Sequence, residues 1–146
     1  IGFRNIHGVI HHQTENFASG MPTDLAFKMG ARQSIFKFLE STLGEAWWGS
    51  KDMNDYYSKH KEGTDPFNWI KLHPLMDNEI INNYIFDHAG EGETSLLMAL
   101  APEAVEMSRI SENNTWYTKS AKNSSSEKGE LVTLQIIKSL INRLKK

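Results

Sequence analysis

The sequence predicts an α/β fold in which helices dominate, and three observations carry that reading. Apolar residues recur at three- and four-residue steps through 22–44, and a second long segment, 125–146, has a serine cap with acids early and bases late, as a helix does. A short apolar run with an internal glycine, FRNIHGVIH at 3–11, reads as a buried strand. Other strand-like runs are few and short. Together these describe a thin α/β domain, or the helical half of a larger one.

The elements follow in order. After the strand, HQTENFASGMP (12–22) is a loop punctuated by Gly20 and Pro22. The clearest helix comes next. Leu25, Met29, Arg32, Ile35, Phe36, Leu39 and Leu43 share its stripe, Pro22 and Thr23 open it, Asp24 favours its dipole and Gly44 ends it. Segment 45–76 is irregular and holds three of the four Trp, with Tyr56 and Tyr57 beside them. So many aromatics in an irregular stretch point to a packed functional loop or an interface. SKHKEGTDP (58–66) reads as a polar linker. NEIINNYIFDH (78–88) reads as a short helix entering a strand at YIF. A helix then runs to Leu100, with a break or a second helix at Pro102. SENNTWYTKSAKNSSS (111–126) is mostly loop. The closing helix is capped by Ser125 or Ser126, with Glu127 and Glu130 early and Arg143, Lys145 and Lys146 late.

Composition bounds the function. The 146 residues suffice for a single domain, 1–146, able to bury about 68–70% of its unfolded surface. A net charge of −2 gives no electrostatic case for nucleic acid or an anionic membrane as partner. The chain has no cysteine, which excludes disulfides and thiolate metal sites and is compatible with a cytoplasmic location. No apolar run approaches a membrane span. The start, IGFRNIHGVI, lacks the basic and apolar regions of a signal peptide and begins as if in mid-fold, as a fragment or processed chain would.

Two stretches hold residues fit for chemistry. HHQTEN (11–16) follows a strand, and ligands of open α/β sheets gather beyond the carboxyl ends of strands. Imidazole and carboxylate are the metal ligands expected when thiolates are absent. Extended residues 11 and 12 would point to opposite faces, so one of His11 and His12 is the candidate ligand, with Glu15 entering from the turn. The bland alternative is a pair of hydrogen-bonded strand-end histidines. The second stretch is DHAGEGETS (87–95). Gly90 and Gly92 permit positive φ or a close approach, and Glu91 and Glu93 lie beside the positive end of a helix. A contact between His88 and Glu93 would orient the imidazole. The competing reading is an acidic helix entry, which local composition favours. His7 is most simply a satisfied buried histidine, while His60 and His73 read as surface residues in loops. The Trp47–Trp48 pair reads as packing. Phosphate-binding glycine loops, GxSxG and HExxH are absent from the sequence.

DHAGEGETSLLMALAPEAVEM resembles the His-Ala-Gly-x-x-Glu-Thr-Ser segment and following helix of the creatininase (creatinine amidohydrolase) family. GFRNIHGVIHHQTEN is similar to that family's Gly-Phe-Arg strand and metal-binding turn, and WYTKSAKNSSSEKGELVTLQIIKSL to its closing segment. The resemblance implies a three-layer α/β/α sandwich around a parallel sheet, here incomplete and representing a C-terminal portion, usually assembled as a homo-oligomer. It implies divalent zinc or manganese, as two ions, making a hydroxide that opens a cyclic amide. Aligned from Gly2-Phe3-Arg4, His12 falls on the family's metal-binding His. Thr14, or Glu15 after a one-residue shift, falls on a ligand position, and His11 remains an alternative. His88 falls on the His that passes a proton to the leaving nitrogen, with Glu93 as its orienting partner. Trp47, Trp48 or Trp69 would supply an aromatic lid. The family's earlier Glu-x-His-Gly…Thr-Asp ligand segment has no counterpart here, and the Asn-Gly-His turn is rewritten. Two alternatives follow: C–C hydrolysis of a cyclic keto-inositol, or a non-catalytic domain that binds a ligand or partner.

Overall fold

The computed structural model describes residues 2–11, 23–86 and 88–145, without the side chains of residues 52 and 54. It is mostly helical with one small parallel sheet, a mixed α/β chain. The chain divides into two compact units, Ile1–Pro74 and Leu75–Lys146, each with its own core.

The first unit is built on a β–α–β crossover, the connection that parallel strands require. Strand β1 (Ile6–Ile10) pairs with β2 (Ile70–Pro74) in parallel register, Ile6 opposite Ile70 and Ile10 opposite Pro74. The ladder opens where the Ile6 N–H donates to the Trp69 carbonyl at 2.7 Å. Helix α1 (Thr23–Leu43) lies between the strands in sequence and stops as the sequence predicts, while Pro22, the other residue of the predicted start, lies outside the described residues. Gly44 takes φ 90°, which ends the helix without a Cβ clash. Within the predicted stripe Ile35 and Leu39 are buried, whereas Met29 and Leu43 near its ends are exposed. Ile35 and Leu39 join Trp47 and Met53 in a core that Phe36, Tyr56, Phe67, Trp69 and Ile70 surround.

The segment between α1 and β2 is more regular than its composition predicts. It forms 3-10 turns at Trp47–Gly49, Lys51–Met53 and Pro66–Asn68, and helix α2 (Asn54–Glu62). The supposed linker is therefore mostly helix. Its polarity is that of an exposed helix, with Asp55 early, Lys59, His60 and Lys61 late, and a 2.7 Å Asp55–Lys59 ion pair one turn apart. His60 accordingly lies on α2, and His73 lies within β2, neither in a loop.

In the second unit α3 (Asn78–Asn83), α4 (Glu91–Leu100) and α5 (Ser126–Leu144) are joined by 3-10 turns at Pro102–Ala104, Met107–Glu112 and Trp116–Asn123. The predicted strand at 84–86 does not form. Tyr84 and Phe86 instead pack against a core of Met76, Ile80, Val132 and Ile136. Residues 116–123, predicted as loop, wind into 3-10 helix. There the buried pair Thr118 and Ala121, three apart, share one face. Helix α5 begins as predicted, with Ser125 Oγ accepting from the Lys128 N–H at 3.2 Å. No described helix is long and apolar enough to cross a membrane.

Candidate functional site

The turn into α4 gives each residue of the His-Ala-Gly…Glu-Thr-Ser stretch a task. Ala89 adopts φ 51°, a left-handed conformation that costs a non-glycine residue and needs support. Two side chains from the first turn of α4 supply it. Glu93 Oε2 accepts from the Ala89 N–H at 2.8 Å, and Thr94 Oγ1 donates to the Ala89 carbonyl at 3.0 Å. The Ala89 peptide is thus clamped on both sides, and His88, immediately before it, is exposed. Its ring meets Tyr117 edge-on, centroids 6.2 Å apart, and Tyr117 meets Trp116 in the same way at 5.5 Å. Glu93 is half-buried, and its carboxylate serves the backbone beside His88.

The glycines act differently from the sequence expectation. Gly90 has φ −88°, within ordinary range, so the positive φ falls on Ala89. Gly92 serves close approach to backbone: a Cβ there would fall 2.3 Å from the Ile85 carbonyl oxygen. Buried Ser95 donates to the Glu91 carbonyl at 2.6 Å and accepts from the Ser125 N–H at 3.1 Å. Ser120 Oγ accepts from the Glu91 N–H at 2.8 Å, and Lys128 pairs with the Glu91 carboxylate at 2.5 Å. The closing Glu-Lys-Gly-Glu segment therefore anchors the α4 entry from a neighbouring helix.

In the first unit, His11 follows the carboxyl end of β1 and is exposed. His12 and Glu15, the other predicted metal ligands, lie outside the described residues. Among the described residues no three His, Asp or Glu are grouped to hold a metal ion. Of the lid candidates, Trp47 is a core residue, 4% exposed. Trp48 is exposed. Trp69 is half-buried, with the Arg4 guanidinium 5.2 Å above its ring.

Two clusters were not foreseen. His7 and His73 meet across the sheet face bearing Lys71, with Nδ1 of one 2.8 Å from Nε2 of the other and nearly parallel rings. His7 Nε2 lies 2.8 Å from Asn5 Oδ1, an acceptor, so in the neutral ring Nε2 carries the proton and Nδ1 accepts from His73. His7 is thus satisfied, as expected, but only half-buried. The second cluster centres on Asp65, which is fully buried. It receives hydrogen bonds from the Phe67 N–H at 2.9 Å and the Asn68 amide at 2.5 Å, and His60 Nδ1 lies 3.2 Å away. Burial pushes the Asp65 carboxyl up. The hydrogen bonds from His60, Phe67 and Asn68 and the His60 charge outweigh it, so the group sits below its ordinary range. Next to it, Tyr56 is raised by burial first, then by the Asp65 and Tyr57 charges, against the opposing pull of Arg32. An Asp before a Pro was the sequence signal for this cap.

No protein-family profile, curated protein or solved structure matches the chain.

Proposed function

We propose that the chain is part of a creatininase-like, metal-dependent hydrolase that cleaves the C–N bond of a small cyclic amide. The observation that carries this reading is the clamped turn at Ala89, which holds the backbone beside His88 with the same Glu93 and Thr94 that define the motif. A histidine that moves a proton must be accessible and fixed in direction, and an exposed ring next to an over-determined turn meets both needs. In this role His88 delivers a proton to the leaving nitrogen, and Glu93 acts through the Ala89 peptide as a positioning residue. The three-layer sandwich, the homo-oligomer and a cytoplasmic setting belong to the same proposal.

Zinc or manganese would be held by His12 and Glu15, with His11 as the alternative to His12. Imidazole and carboxylate suit either ion, and His11 stands exposed at the carboxyl end of β1, where a ligand set for an open sheet belongs. When bound, such an ion brings water's pKa towards neutrality and polarises a carbonyl. C–C cleavage of a cyclic keto-inositol would use the same residues.

The non-catalytic reading has an observation of its own. Glu93, Thr94 and Ser95 all have backbone duties, so the turn is justified structurally even without a reaction. Assays of creatinine and of a keto-inositol with added zinc or manganese, alongside metal analysis, separate the readings. Ring opening that depends on bound metal supports the hydrolase. Activity undiminished in metal-free protein sinks it, and stoichiometric metal without turnover of either ring favours the binding domain.

A further inference from the structure

The first unit contains a cavity of about 420 Å³, within the range of small-molecule sites. Phe67 in its wall precedes β2 in the sequence. Its walls are aromatic: Phe36 from α1, Trp47 and Trp48 from the turn after it, Tyr56 and Tyr57 from α2, and Phe67. The rings brace one another. Trp47 lies 4.9 Å from Tyr56 and 5.9 Å from Trp48, and Phe36 lies 5.2 Å from Phe67. A flat ring entering here would meet π faces and edges rather than aliphatic side chains.

Charge decides what else the occupant carries. The Arg32 guanidinium stacks over Phe36 at 4.9 Å and over Phe67 at 5.4 Å, and it is exposed. Among the described residues no carboxylate pairs with it. Stacking occupies the face of a guanidinium and leaves its edge N–H groups for a planar anion. The nearby Asp65 does not pair with Arg32, because both its oxygens are engaged by Phe67, Asn68 and His60. An aromatic cage can also take a cation, but here a cation would sit beside Arg32. The Trp47 Nε1–H is buried and finds no acceptor among the described residues, an unmet donor in the same wall.

We propose that this cavity binds a flat aromatic or heteroaromatic carboxylate, its ring against the tryptophan–tyrosine wall and its carboxylate on Arg32. The cavity shares Trp47 and Trp48 with the lid candidates of the hydrolase reading but includes no residue of the turn at His88 or of the strand-end ligands, so binding here is tested without any assay of turnover.

The test uses the indole N–H signals of the four tryptophans in nitrogen–proton correlation spectra, assigned by Trp→Phe replacement. The probes are 2-naphthoate, the neutral 2-naphthamide and tetramethylammonium. By its size, naphthoate should bind with a Kd on the order of 1 mM. It should shift the Trp47 and Trp48 signals. Arg32→Met, which keeps an apolar stem over the rings, should weaken naphthoate about 10-fold and leave naphthamide unchanged. Trp48→Ala, at an exposed position, should weaken both. Equal affinity for naphthoate and naphthamide in the wild-type chain overturns the proposal, and that comparison stands even if a variant fails to fold. Tighter binding of tetramethylammonium, or no indole shift with naphthoate, overturns it as well.

Discussion

Gly129 on α5 rests against the backbone of Ser95 on α4 so closely that a Cβ there would fall 1.9 Å from the Ser95 carbonyl oxygen. The obstacle is main chain, so no side-chain rotation relieves it, and α5 would have to lift from α4. Gly129→Ala should therefore cost about 3 kcal/mol despite the better helix propensity of alanine. Glu130→Ala, the adjacent exposed position, should stay within about 0.5 kcal/mol. Chemical denaturation of the two variants checks this; equal stability would mean the helices are not in this contact.

Acid should destabilise both units through their capping carboxylates, buried Asp65 in the first and half-buried Asp77 in the second. Asp65 is held below its ordinary range as described above. Asp77 is held there by its hydrogen bond from Ser139 at 2.6 Å, opposed by burial and reinforced by the Ile80 N–H and the Arg143 charge. A carboxylate whose folded pKa is depressed stabilises the fold fully above its unfolded pKa, near 4. That contribution is lost as pH falls through the lower, folded value. Thermal stability should thus be flat on this account at neutral pH and decline below about pH 4. Asp65→Asn should lower stability at pH 7 by roughly 1–2 kcal/mol and flatten the acid limb. An unchanged acid limb in this variant would show that Asp65 does not contribute to it.

His7 and His73 should be energetically coupled, because each ring presents a nitrogen to the other at 2.8 Å across neighbouring strands. Both are half-buried, so solvent competes and the net bond is modest. A double-mutant cycle with His7→Ala and His73→Ala should return about 0.5–1.5 kcal/mol of interaction. Strict additivity would reduce the pair to chance proximity.

The parts legible in the sequence were those governed by local chemistry. The middle of the α1 stripe and its stop, the Ser125 cap of α5 and a helix ending at Leu100 follow from spacing and capping alone. What was not legible depended on partners distant in sequence. Tyr84–Phe86 has the composition of a strand, but its aromatics go to the α5 core instead. His73 looked like a loop residue because its strand is short and ends at a proline, and only pairing with β1 defines it. The same holds at the site. His88, Glu93 and Thr94 were visible as a motif, whereas the positive φ of Ala89 that gives Glu93 and Thr94 their task was not, since alanine carries no signal for it.

His88→Ala tests the proposed reaction most directly. The side chain is exposed and its described ring contact is the edge of Tyr117, so its loss should leave the helical circular dichroism and the denaturation midpoint nearly unchanged. Under the hydrolase reading, turnover should fall by about 10²–10⁴-fold, the range for a lost proton-transfer group, with metal content unaffected. Glu93→Gln should behave differently. The amide oxygen still accepts from the Ala89 N–H, so turnover should fall less than in His88→Ala, whereas Glu93→Ala removes half of the clamp and should also destabilise the chain by about 1–2 kcal/mol. If His88→Ala loses metal and turnover in equal proportion, His88 is a ligand and the proton-transfer role is wrong. If Glu93→Gln is as inactive as His88→Ala while retaining wild-type stability, Glu93 acts on the reaction through its charge rather than by positioning.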